Sequence, residues 1–149
     1  MAQEYTIKDF KQLTTTELYQ LLRLRSEVFV VEQNCPYLDL DNKDQQSFHL
    51  LYYVNDELAA YTRLLPAKLS FEEVSIGRVI TSPSHRGLGL GKKLMEATIQ
   101  GCYDKFGKSA IRIGAQLYLL KFYQSFGFIE EGAPYDEDGI PHIEMVKPA

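Results

Sequence analysis

The sequence predicts an α/β fold in which a mixed, mostly antiparallel sheet is flanked by helices, and three observations lead there. A helical pattern near the start is followed by three β-rich runs joined by short turns. The second half then alternates strand, helix, strand, helix and strand, the order that builds a sheet with crossover connections. Finally, 149 residues with 45% apolar and 24% charged side chains have the size and make-up of one domain, residues 1–149, with its own core.

The elements follow in order. Tyr5 to Lys8 reads as a short strand, and Thr14-Thr15-Thr16-Glu17 as a capping box that opens a helix. Leu18, Leu21, Leu22, Val28 and Phe29 continue that helix with one apolar face. Gln33 to Gln46, polar and containing Pro36, is a loop. His49 to Val54 and Glu57 to Leu65 are strands, joined tightly through Asn55-Asp56. Val74 to Thr81 is a further strand, and Gly77 near its middle marks a bulge or a close backbone approach. Met95, Ile99, Cys102 and Phe106 recur at helical spacing over a helix from Lys92 to Phe106, which Gly107 stops. Ala110 to Gly114 is a strand and Gln116 to Phe126 a helix ended by Gly127. Phe128 to Glu131 and Ile143 to Val146 are the closing strands, whose exposed edges offer a surface for a homodimer.

The unit with the clearest chemistry is the strand 74–81 and helix 92–106 with the turn between them. Ser84-His85-Arg86-Gly87-Leu88-Gly89-Leu90-Gly91-Lys92 carries three glycines at alternate positions just before a strong helix. Glycines permit positive φ and expose successive N–H groups, and the unsatisfied donors of a helix's first turn add partial positive charge. Arg86 and Lys92 add full charges. The turn therefore suits a pyrophosphate or similar dianion. The spacing excludes two nucleotide motifs. A P-loop needs Gly where Arg86 stands and Ser or Thr where Lys93 stands. The dinucleotide pattern G-x-G-x-x-G puts Lys92 or Leu94 where its last glycine belongs.

What remains, Arg86-x-x-Gly89-x-Gly91 after a strand and opening a helix, resembles the coenzyme A pyrophosphate loop of the GNAT (Gcn5-related) N-acetyltransferase family. Phe122-Tyr123-Gln124-Ser125-Phe126-Gly127-Phe128, about 30 residues downstream, resembles that family's second hallmark, a tyrosine shortly before a Gly-Phe pair. The stretches Leu24 to Tyr37 and Asp138 to His142 are similar to the ElaA-type subgroup. The resemblance implies an acetyl-coenzyme A-dependent N-acetyltransferase in which a primary amine attacks the thioester directly. It places the cosubstrate on Val79, Ile80 and the loop residues Arg86, Gly87, Leu88, Gly89, Leu90, Gly91 and Lys92, and assigns Tyr123 as the general acid for the departing thiolate.

The chemistry fits those residue types. A phenol titrates at about 10 and a thiol at about 8.5, so Tyr123 is protonated at neutral pH and has a proton to give once positioned. Periodicity alone reads Tyr123 as one more core aromatic beside Tyr118, Phe122 and Phe126; the resemblance reverses that reading. Gln116, seven residues earlier, falls on the same face of the expected helix and points at the cosubstrate too. The general base stays open among Glu32, Glu73, His49, His142 and a chain of waters. Glu73 shares strand parity with Ser75, Gly77 and Val79, while Glu32 ends the first helix beside an acceptor-side loop. Arg63 and Arg78 lie on central strands, where each needs a carboxylate partner or a ligand.

Composition narrows the classes. A net charge of −4 argues against nucleic acid as the main partner. No apolar run of about 18 residues and no secretory signal is present, which places the chain in the cytoplasm away from membranes. The two cysteines, Cys35 and Cys102, form no metal-ligand or disulfide pattern; Cys102 falls on an apolar helix face and belongs to the core. A non-catalytic acyl-coenzyme A-binding regulatory module is the alternative, and the presence of Tyr123 favours the enzyme.

Overall fold

The computed structural model describes residues 2–149. Seven strands form one sheet in the order β1-β2-β3-β4-β5-β7-β6. They are β1 (Gln3–Asp9), β2 (Phe48–Val54), β3 (Glu57–Leu65), β4 (Val74–Thr81), β5 (Ile111–Gln116), β6 (Ile129–Glu137) and β7 (Ile140–Lys147). All neighbours are antiparallel except β4 and β5. The helices are α1 (Thr15–Arg25), α2 (Leu90–Phe106) and the short α3 (Leu120–Gln124).

Local signals account for many of these elements. Thr14 and Glu17 cap α1 reciprocally, the Glu17 N–H donating to Thr14 Oγ1 at 3.1 Å and the Thr14 N–H to Glu17 Oε1 at 2.9 Å. Asn55 and Asp56, with φ of 50° and 65°, make the two-residue turn between β2 and β3. Successive residues of β2 then serve opposite faces of the sheet. Leu50 packs with α2 residues Leu94 and Met95, whereas Leu51 packs with Leu21 and Leu24 of α1. Cys102, 1% exposed, lies in the α2-side core, and burial pushes its thiol up to about 12.

The differences from expectation have tertiary causes. The first helix stays α-helical only to Arg25 and widens into a π-helical segment over Ser26–Glu32. The wider turn keeps Val28 in the core, leaves Val31 exposed, and delivers Phe29 and Glu32 to the cleft described below. Gln116 ends β5 instead of opening a helix, because its backbone pairs with His142 of β7. A 3₁₀ turn, Leu117–Leu119, precedes α3. The closing strands run longer than expected, since the Gly132-Ala133-Pro134 interruption is absorbed as an irregularity between Glu131 and Tyr135.

A second irregularity shapes the site. Arg63 pairs with Gly77 and Tyr61 with Ile80, so Arg78 and Val79 together oppose Thr62. The positive φ belongs to Arg78, at 53°, and not to its neighbour Gly77. This bulge reverses the parity of β4: Ile76 packs on the α2 side, but Ile80, four residues on, packs on the α1 side.

Candidate active site

β4 and β5 are hydrogen-bonded only at Val74–Ile111 and Ser75–Arg112, after which the two parallel strands separate. The opening becomes a cleft of about 920 Å³ walled by Ile76 to Thr81 on one side and Ile113 to Gln116 on the other. No antiparallel hairpin could open this way, because its strands stay joined through the turn.

At one mouth the glycine turn meets α2. Gly87 and Gly89 have φ of 84° and 72°, and a β carbon at either would stand in open space, so conformation and not crowding selects glycine there. Gly89 caps α2, whose first residues Leu90 and Gly91 line the cleft with Arg86, Gly87 and Gly89. Leu88 and Lys92 of the expected set are exposed and lie outside the residues that line the cleft. Arg86 spans the mouth instead of standing free. Its Nη1 and Nη2 each donate to a Glu32 carboxylate oxygen at 2.6 Å, and Nη2 also donates to the Thr81 carbonyl at 3.3 Å.

Val79 and Ile80 line the cleft beside the bulge, and Tyr123 of α3 lines it as well. Tyr123 is 5% exposed, with its ring edge-on against Phe122 and Phe128. Burial, then the nearby Tyr118, pushes its phenol above the ordinary range, so the group keeps its proton. Gln116 reaches the cleft from the end of β5 and exchanges amide hydrogen bonds at 3.4 Å with Gln33 beyond the π-helical segment. Its place in the cleft owes nothing to a shared helix face with Tyr123.

The four base candidates separate cleanly. His49 is fully buried away from the cleft. Its Nε2–H donates to the Asp44 carbonyl at 2.9 Å, which leaves Nδ1 to accept from the Tyr61 hydroxyl at 2.6 Å. Burial holds this imidazole below its ordinary value, so it is a neutral structural link. Glu73 also lies outside the cleft, clasped by Arg112 at 3.0 to 3.1 Å, whose hydrogen bonds lower its pKa. The parity argument for Glu73 fails because the bulge turns Val79 to the face shared by Ile76. Glu32 lines the cleft, yet its hydrogen bonds to Arg86 lower its pKa and make it a weak proton acceptor.

His142 remains. It lines the cleft at 7% exposure, its Nδ1–H donates to the Ile140 carbonyl at 2.7 Å, and its Nε2 lies 3.2 Å from Glu137 Oε2. Tyr135 stacks on the ring. The ring thus has a carbonyl on one nitrogen and a carboxylate near the other. Sequence reasoning missed Glu137, although Asp138-Gly139, the two-residue turn between β6 and β7 with φ of 52° and 80°, was a readable hairpin signal.

Arg63 and Arg78 have the carboxylates they require. Arg63 binds Asp41 and Asp44 at 2.7 to 2.8 Å, and Arg78 binds Asp39 at 2.7 Å. All three aspartates come from the loop after Gln33.

Comparison with known proteins agrees with this geometry. A sequence model of the acetyltransferase (GNAT) domain matches residues 10–149. The protein ElaA of Escherichia coli K12 is 48% identical over 138 residues, covering 91% of this chain and 90% of that protein. The E. coli ElaA crystal structure superposes with a TM-score of 0.91 at 44% identity, over 98% of this chain and 99% of that one. An acyl-CoA N-acyltransferase from Pseudomonas aeruginosa superposes at 0.92 with 41% identity, over the same 98% and 99%. An aminoglycoside 6'-N-acetyltransferase complexed with coenzyme A shares the fold, with a TM-score of 0.72 at 17% identity over 96% of each chain. With its splayed β4 and β5, its glycine turn and relatives this similar over nearly their whole length, the chain belongs to the GNAT family of acyltransferases, in the ElaA-type subgroup.

Proposed function

We propose that this acyltransferase moves an acetyl group from acetyl-coenzyme A to a primary amine by direct attack on the thioester. The observation that carries the reading is the cleft itself, with glycine turn, bulge, Tyr123 and His142 arranged along one opening. The cosubstrate's pyrophosphate rests on Arg86 to Gly91 at the first turn of α2, and the thioester carbonyl lies against the backbone of Val79, which the bulge takes out of the regular ladder, and of the adjacent Ile80. That a protein of the same fold is complexed with coenzyme A supports a coenzyme A thioester as the cosubstrate.

A lysine-type amine titrates at about 10.4, so supplying its free base at pH 7 costs roughly 4.6 kcal/mol unless a group takes the proton. The Glu137–His142 pair fills that role: Nε2 accepts the proton, and Glu137 stabilises the imidazolium formed. The amine nitrogen then bonds to the carbonyl carbon, the carbon–sulfur bond breaks, and Tyr123 protonates the departing thiolate.

The test is calorimetric titration with acetyl-coenzyme A, joined to a thiol-release assay over a panel of amines. Binding with amine-dependent release supports the reading, and binding to ATP in preference to coenzyme A sinks it. His142→Gln should lower kcat/KM for the amine by about 100-fold at pH 7, with the gap narrowing as pH approaches the amine's own pKa. A loss independent of pH would remove His142 from the role. Glu32→Gln should tighten coenzyme A binding by about 3- to 10-fold, because the Glu32 carboxylate both occupies Arg86 and repels a pyrophosphate at the same mouth. Unchanged or weaker binding in the titration would count against Arg86 as a phosphate contact.

A further inference from the structure

The bulge in β4 is held from outside the sheet. Arg78 sits at φ 53°, a left-handed conformation that is unfavourable for any residue with a β carbon. Its side chain is anchored on the loop after Gln33: Nε donates to Asp39 Oδ1 at 2.7 Å, Nη2 to the Asp39 carbonyl at 2.9 Å, and Nη2 to Asp41 Oδ2 at 3.4 Å. Asp39 is 6% exposed and is fixed in its turn. Arg25 donates to its Oδ2 at 2.8 Å and to its carbonyl at 3.3 Å, and the Tyr37 hydroxyl donates to Oδ1 at 2.8 Å. One aspartate thus ties a fully buried arginine of α1 to a residue of the cleft wall held at positive φ.

We propose that Asp39 is a positioning residue for acyl transfer, acting through Arg78 to hold the β4 bulge in the conformation that presents the Val79–Ile80 backbone to the thioester. The inference rests on the reading of that backbone as the carbonyl's site. A bidentate clamp on the guanidinium offsets the cost of the left-handed backbone and restricts the bulge to one state. Without the clamp, Arg78 relaxes toward negative φ and the Val79–Ile80 backbone shifts away from the position the carbonyl needs. The clamp lies away from the glycine turn, so its loss should fall on turnover and not on coenzyme binding.

The experiment is a kinetic cycle with Asp39→Asn, Arg78→Gly and the double variant, measured with acetyl-coenzyme A and the best amine of the panel. Asp39→Asn should lower kcat by about tenfold while KM for acetyl-coenzyme A moves by less than about twofold. In the Arg78→Gly background, where glycine accepts the left-handed φ unaided, Asp39→Asn should add less than about a twofold further loss. It should still lower Tm in both backgrounds, because Arg25 loses a partner either way. An equal kcat loss in the two backgrounds overturns the positioning role. Arg78→Ala against Arg78→Gly tests the same point without touching Asp39: both lack the clamp, and only alanine bears the left-handed cost, so Ala should be about 5- to 10-fold slower. Equal rates for Ala and Gly overturn it as well. If the unaltered protein neither binds coenzyme A nor releases thiol, it is the reading of the site that fails.

Discussion

Tyr123→Phe is expected to lower kcat by about 100- to 1,000-fold while leaving coenzyme A affinity and thermal stability close to those of the unaltered protein. The substitution removes one oxygen and keeps the ring, whose edge-on contacts at 5.2 Å to Phe122 and 6.0 Å to Phe128 hold it in place. Burial and the proximity of Tyr118 set the phenol's titration, with no hydrogen-bonded partner contributing. Removing the hydroxyl therefore leaves no buried group stranded, and stability has little reason to change. The proton is needed only as the carbon–sulfur bond breaks, so kcat and kcat/KM should fall together. The same burial sets the pH signature. Because the phenol is held above its ordinary value, it should stay protonated to at least about pH 10, and kcat should show no alkaline decline below that point. Thiol-release kinetics from pH 7 to 10 decide the matter: a variant within about threefold of the unaltered kcat excludes Tyr123 as the acid, and an alkaline limb near pH 8 excludes a buried phenol.

Much of this site was legible because its signals are local. The glycine turn, the start of α2 and the capping box of α1 depend on residues within a few positions of one another, where backbone sterics and helix-end donors decide the outcome. Gln116 shows the limit. It does reach the cleft, but from the end of a strand, since pairing with His142 in β7 overrode the helical pattern that continues into α3. Glu73 shows it more sharply, because alternation along β4 holds only until the bulge, and the bulge depends on a clamp from a loop some 40 residues earlier in the chain. The need of Arg63 and Arg78 for partners followed from their strand positions, but which aspartates would supply them did not. His49 and His142 looked equivalent as lone histidines on strands; the difference between a sealed hydrogen-bonded link and a cleft residue beside Glu137 arises from packing alone.

The largest expected effect on stability comes from the other end of the same ion network. Arg25 is completely buried on α1, donating from Nε to Asp39 at 2.8 Å and from Nη1 to Asp44 at 2.7 Å, with Tyr61 beneath its guanidinium. Methionine fills a similar volume but leaves two buried carboxylates short of a cation, which costs about 3–5 kcal/mol and lowers Tm by roughly 10–15 °C in a domain of this size. The pH dependence separates lost charge pairing from lost packing. Burial works against ionised Asp44, but its hydrogen bonds and attraction to Arg25 and Arg63 outweigh that and lower its pKa. A depressed carboxyl pKa contributes stability that is present above the unfolded value of about 3.9 and is lost as pH falls through the folded one. Arg25→Met removes part of that contribution. The stability gap between the two proteins should therefore be full above about pH 5 and close progressively below about pH 4, as protonation lets Asp44 sit neutral in the core. Urea unfolding at pH 7 and at pH 3.5 measures both ends: a gap under about 1 kcal/mol at neutral pH, or one that stays constant on acidification, would mean that packing around Arg25, and not its ion pairs, joins α1 to the loop that clamps the β4 bulge.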